Sequence, residues 1–177
     1  MRVVADTNTL VSGLLWQGAP RRLVDAAQEG LVHFVTSQAL IDELKRVLAR
    51  PKFAARMKHV GVTADTLLAT YSANAELVVP ANIPPTVLTD PDDDTVLAAA
   101  LGGQAMLIIS GDRDLLDLKR FHDIPIVTVG AALALIARAI ASRPSNRGAS
   151  GTRPTERNGC YARLRPWLPL PHQAVRS

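Results

Sequence analysis

The chain has 177 residues, 47% of them hydrophobic, and a formal net charge of +4. That length carries one domain with a full core and is cramped for two, while no apolar run approaches the ~20 residues of a membrane span. Asp6 interrupts the first apolar stretch, so no leader pattern opens the chain, and a single cysteine, Cys160, can form no internal disulfide and has no metal-ligand spacing around it; the expected compartment is the reducing cytoplasm.

The first predicted element is a strand over 2–5 (RVVA), which ends on the acid of VVADTN. A helix over 20–29 follows, with Pro20 in its first turn and Gly30 beyond its end. Then come a strand over 32–36 (VHFVT), a helix over 38–49 with Ser37 as N-cap, and a short helix over 52–59 closed by Gly61. Thr63 caps a helix over 64–74, and a strand is predicted over 76–79 (ELVV). The segment 80–91, PANIPPTVLTDP, carries four prolines and reads as an ordered loop. A helix over 93–102 ending near Gly102, a strand over 106–109 (MLII), a helix over 114–120, a strand over 125–129 (PIVTV) and a helix over 130–141 complete the pattern. Such alternation predicts an α/β fold of three layers, a central parallel five-stranded sheet flanked by helices.

Charge divides the chain into two regions. Residues 1–142 hold 13 Lys+Arg against 15 Asp+Glu, whereas residues 143–177 hold seven Arg against Glu156 alone. The expectation is a nuclease-sized domain over 1–142 followed by a basic Pro/Gly/Arg-rich tail without apolar periodicity, a composition that does not pack a core.

The acids fall where an open α/β sheet does its chemistry, beyond the carboxyl ends of its strands. Asp6 follows the first strand directly, and Asp112 follows the fourth after only Ser110 and Gly111 in MLIISGDRD. On a helical wheel with Val96 at 0°, Asp93 falls at about 60°, inside the stripe of Ala100 and Leu97, while Asp94 lies on its border at about 160°. With Leu40 at 0°, Glu43 flanks the stripe of Leu44, Leu48, Ile41 and Val47 at about 300°, and Asp42, Lys45 and Arg46 look outward.

Each acid has a plainer role available: Asp6 and Asn8 as caps, Asp90 to Asp94 against a helix dipole, Asp112 in a turn. Capping does not require four carboxylates to converge on one edge. Two like charges 4 Å apart repel by ~4 kcal/mol at an effective dielectric near 20, so such a cluster needs raised pKa values or a cation. Hard oxygen donors suit Mg²⁺ or Mn²⁺, ions that engage phosphates and activate water. That chemistry points to phosphodiester hydrolysis.

In these motifs the chain resembles PIN-domain ribonucleases, and more closely the bacterial toxin-type PIN proteins related to VapC. The likeness covers residues 1 to about 140 through VVADTN at 3–8, the acid of IDEL at 41–44, DPDDDTVLAAA at 90–100 and IISGDRDLL at 108–116. The resemblance implies a Mg²⁺- or Mn²⁺-dependent endoribonuclease, commonly a homodimer, held inactive by a cognate antitoxin. It implies that Asp6, Glu43, Asp93 and Asp112 are the catalytic acids, that Asp6, Asp93 and Asp112 hold the metal and that Glu43 orients water. Asn8, Ser110 and Asp114 are implied supports, and Asp90 a further auxiliary. Asp94 stands where Asn is common and Ser110 where Thr is common.

Two other enzyme-like pockets open with an acid after the first strand. An aspartyl-nucleophile phosphatase needs DxD there, and this chain has Asn8; a phosphate-receiver domain needs a lysine after its last strand, and PIVTVGAALAL has none. A degenerate PIN module that binds RNA or a partner without cleaving it is the remaining alternative. Trp16 is placed to stack a base or cover an interface, and Arg21, Arg22, Arg113 and Arg120 are candidate phosphate contacts.

Overall fold

The computed structural model describes residues 1–87 and 90–142; the predicted tail lies outside the described residues. Its elements run β1 (Arg2–Ala5), α1 (Thr7–Leu15), α2 (Ala19–Gln28), β2 (His33–Thr36), α3 (Gln38–Leu48), α4 (Pro51–Val60), α5 (Ala64–Asn74), β3 (Glu76–Leu77), α6 (Pro91–Gly102), β4 (Leu107–Ile109), α7 (Arg113–Leu118), β5 (Arg120–Phe121), β6 (Ile124–Val127) and α8 (Val129–Ala141). Strand order is β3-β2-β1-β4-β6-β5, parallel throughout except for β5. The α/β class and the helix-flanked parallel sheet are as expected from the alternation of apolar runs.

Period-two alternation in the central strands feeds two cores, one on each face of the sheet. Val3, Ala5, Phe34, Leu107 and Ile109 pack against α1, α2, α3, α5 and α8 on one side. Val4, Val35, Ile108 and Ile126 pack against Val96, Leu97, Ala99 and Ala100 of α6 and Leu115 of α7 on the other. Leu44, Leu67, Leu97 and Leu115 are fully buried, so each truncation to Ala is a cavity mutation.

Two elements differ from the expected set. The sheet has six strands, because Arg120–Phe121 turns back on β6 as an antiparallel pair with Phe121 opposite Ile124. Lys119 (φ 61°) ends α7 at Leu118 and His122 (φ 49°) makes the tight turn, whereas the sequence had predicted helix through 120. A two-residue strand carries no periodicity to detect.

Helix α1 is the other difference. Its sequence TNTLVSGLL has a central glycine and apolar residues on nearly every side, and seven of its nine residues are buried. It therefore shows no polar face from which to read a period. Gly13 has a packing reason: a Cβ there would stand 2.6 Å from the Pro20 carbonyl oxygen and 2.9 Å from a Val24 methyl. Gly13→Ala is expected to lower unfolding free energy by about 1–3 kcal/mol, measured by urea denaturation, because α1 and α2 must separate to admit the methyl.

Predicted caps fall into place with small shifts. Ser37 accepts from Leu40 N (3.4 Å), Thr63 accepts from Thr66 N (3.1 Å), Gly61 closes α4 in the left-handed region, and Gly103 rather than Gly102 caps α6. Among the described residues no helix is long and apolar enough to cross a membrane.

Candidate active site

The chain leaves β1 toward β2 and β3 on one side and returns to β4 and β6 on the other, so the carboxyl ends of β1 and β4 flank the point where strand order reverses. Crevices form there because the connections diverge to opposite sides. Asp6 stands at the end of β1, and its own N–H donates to the Ile109 carbonyl of β4 (3.0 Å). Its carboxylate is fixed from both strands. Oδ1 accepts from Thr9 N (2.5 Å), which makes Asp6 the N-cap of α1, and Oδ2 accepts from the Ser110 hydroxyl and from Gly111 N (3.0 Å). Ser110, fully buried, also accepts from Asp112 N (2.9 Å). Ser110→Ala is expected to cost about 1–3 kcal/mol in denaturant titration, the scale for removing a partner of a buried charged group.

Helix α6 enters the same crevice with its acidic first turn. Asp90 is its N-cap, accepting from Asp92 N (2.9 Å), and Asp93 is buried with its Oδ2 lacking any hydrogen-bond partner among the described residues. Asp94 points elsewhere: its carboxylate accepts from Thr86 N (3.1 Å) and Val87 N (2.9 Å) and ties the proline-rich loop to the helix. The neighbouring acids thus have different work, one facing the crevice and one holding backbone.

Helix α3 supplies the opposite wall. Glu43 is half-buried and accepts from the Thr7 hydroxyl (2.8 Å). Val47 and Arg50 follow on the same side at i+4 and i+7. Together these elements enclose a cleft of about 240 Å³ lined by Asp6, Thr7, Asn8, Glu43, Asp90, Asp92, Asp93 and Asp112, with Val47, Val96 and Arg50. Asn8 and Asp112 also line an adjoining groove of about 300 Å³ with Thr9, Ser12, Gly111 and Val129.

The four predicted acids therefore meet in one cleft, with Asn8 at its edge and Ser110 beneath Asp6. Asp114 does not line it; its N–H donates to Asp112 Oδ1 (2.8 Å) at the start of α7. Thr7 and Arg50 were not anticipated. Thr7 had no signal beyond its place beside Asp6, whereas Arg50 lies seven residues after Glu43, a spacing that returns to the same helix face. Of the arginines named as phosphate contacts, Arg21 is bound to Asp25 (2.8 Å) and Arg22 lines a groove with Leu31 and Ile136, apart from the cleft. Trp16 packs edge-on to Phe53 (centroids 5.8 Å apart) beneath Arg56.

Electrostatics follow from the crowding. Burial, then Asp112, Asp90, Asp6 and Asp114, push the Asp93 carboxyl up to about 7. Burial also raises Glu43, helped by Asp92 and Asp6 and opposed by the Thr7 hydrogen bond and Arg46. A carboxyl whose folded pKa exceeds its unfolded value binds its proton more tightly when folded, so stability falls as pH rises between the two. The metal-free protein is thus expected to melt at progressively lower temperature from about pH 4 to 7, and Asp93→Asn to flatten that slope.

The donors in the cleft are hard oxygens, and Asp93 Oδ2 is an acceptor left open, which fits a divalent cation. Among the described residues no three His, Cys, Asp or Glu side chains form a group able to hold an ion alone. An ion that keeps several waters and takes one or two carboxylates directly suits such spacing. A family model described as PIN domain matches residues 2–114, which includes all four acids. No curated protein matches the chain.

Proposed function

The chain belongs to the PIN-domain family, and on that premise we propose that it is a divalent-metal-dependent endoribonuclease that hydrolyses RNA phosphodiester bonds. PIN domains are in general nucleases that use divalent metal ions and act on RNA, so membership supports the reaction class. The observation that carries the reading for this chain is the meeting of Asp6, Glu43, Asp93 and Asp112, from four separate segments, in one cleft with an unpartnered carboxylate oxygen.

In this reading Asp6 and Asp93 hold Mg²⁺ or Mn²⁺ directly and Asp112 does so through water. When bound, the ion supplies charge stabilisation at the phosphoryl oxygens and lowers the pKa of a water near them. Ser110, Thr9 and Gly111 keep the Asp6 carboxylate from turning, which spares reorganisation when charge develops. Glu43, fixed by Thr7 and raised toward neutrality by burial, orients the attacking water and accepts its proton. Asn8 lies at the rim, where its amide can donate to a substrate phosphate.

The toxin-type motifs VVADTN, IDEL and ISGDRD further support a place in a toxin-antitoxin pair, with a cognate antitoxin and a homodimer as the resting assembly in the cytoplasm. Exposed apolar side chains at Leu77, Val79, Leu135 and Ile140 are suited to such contacts. The domain comprises residues 1–142 and the basic tail is an appendage to it. Incubation with end-labelled single-stranded RNA tests the function: internal fragments should appear with Mg²⁺ or Mn²⁺ and not with EDTA. Binding without fragments at any metal concentration would favour a module that holds RNA uncut.

A further inference from the structure

Resting on the ribonuclease reading, we propose that the outer face of α4, with Arg50 at its head, is the track that receives the RNA backbone and leads it into the acidic cleft. The cleft itself cannot attract RNA. Six carboxylates line it against Arg50 alone, and residues 1–142 carry more acid than base. Between Leu44 and Ala64, however, the chain has six basic residues (Lys45, Arg46, Arg50, Lys52, Arg56 and Lys58) and no acid.

Geometry turns that run into a surface. Arg50 N donates to the Val47 carbonyl (3.0 Å), and the Arg50 carbonyl accepts from Phe53 N (3.0 Å), so its backbone is clamped between the end of α3 and the first turn of α4. Pro51 stiffens that turn. Phe53, Arg56, Met57 and Val60 face the body of the protein, and none of the residues of α4 is fully buried; Lys52 and Lys58 lie on the exposed side. Arg56 has a structural task, donating to the Leu15 carbonyl (2.7 Å) and covering Trp16.

Arg50, Lys52 and Lys58 have no carboxylate within ion-pair distance among the described residues, although Arg50 lines a wall with six of them. The cation that bears on Glu43 is Arg46, and Arg50 is not among the charges that move Asp93. Arg50 is therefore placed to meet an incoming anion rather than to neutralise the acids. Its planar fork grips a phosphate through two N–H donors, while Lys52 and Lys58 act as point charges along roughly 12 Å of helix, about two nucleotides of backbone.

The test is fluorescence anisotropy of a labelled ten-nucleotide uridine RNA with the full chain in EDTA, where no cleavage intervenes, over a range of NaCl. The triple variant Arg50→Ala, Lys52→Ala, Lys58→Ala should weaken binding at least tenfold and lower the slope of log affinity against log salt by about 2, since each phosphate contact on a single strand contributes roughly 0.7. Arg50→Lys should keep the slope yet bind more weakly than wild type. All three side chains are exposed, so melting temperature should not change, which separates loss of contact from loss of fold.

Unchanged affinity and slope in the triple variant would overturn the proposal and assign RNA binding to another surface, such as the arginine-rich tail. Loss of binding to polyglutamate with RNA binding intact would overturn it in favour of an acidic protein partner. The two readings fail separately: RNA held through α4 but never cut would sink the ribonuclease alone, and normal cleavage and binding by the triple variant would sink the track alone.

Discussion

Asp6→Asn protein is expected to cleave RNA at least ~10²-fold more slowly than wild type in Mg²⁺ while remaining folded. The scale is that of removing a preorganised group aimed at charge that develops in the transition state. Asn is nearly isosteric and caps a helix as well as Asp, so α1 keeps its N-cap bond from Thr9 N. Its amide nitrogen can occupy the place of Oδ2 beside the Ser110 hydroxyl, which accepts as readily as it donates. What is lost is the negative charge, and with it the hold on a cation. Single-turnover cleavage of labelled RNA, with circular dichroism as the control for folding, measures both sides; equal rates for the two proteins would remove Asp6 from the chemistry.

Asp93 and Asp94, adjacent in sequence, should respond in opposite ways. Asp93→Asn is expected to reduce cleavage by about 10²-fold or more and to raise the melting temperature of the metal-free protein at pH 8, because it deletes a buried charge set against Asp112, Asp90 and Asp6. Asp94→Ala is expected to leave the metal site intact and to cost about 1–3 kcal/mol, because the Thr86 and Val87 N–H groups lose their acceptor. Cleavage rates beside urea unfolding curves for the two variants test this; a catalytic defect confined to Asp94→Ala would reverse the assignment.

The difference between those two acids shows how far sequence reading carries here. The wheel separates them, since α6 has a clear stripe of Val96, Leu97 and Ala100 to point against. It cannot say that Asp94 binds the loop, because that bond joins residues whose relative placement no period encodes. The strand-end acids were legible for a related reason. A strand delivers its last residue to a known edge, so Asp6 and Ser110 are located by topology before any side chain is seen.

Helix α1 and strand β5 were illegible because burial on all sides erases the polar phase in one, and shortness leaves no phase in the other. Arg50 was legible in principle, lying one heptad from Glu43. It was overlooked because the helix it shares a face with ends two residues earlier, at Leu48. A helix followed by a proline-started second helix preserved the register that a loop would have lost.

The central claim is that the four carboxylates form a cation site, and a titration of Mn²⁺ against the melting temperature tests it most directly. An ion that binds only the folded state stabilises it by RT ln(1 + [L]/Kd), about 2.7 kcal/mol at a hundred times Kd. The wild type should show a saturable rise in melting temperature, and Asp93→Asn little or none at the same concentrations. An absent rise in the wild type, or one of equal size in Asp93→Asn, would contradict the claim.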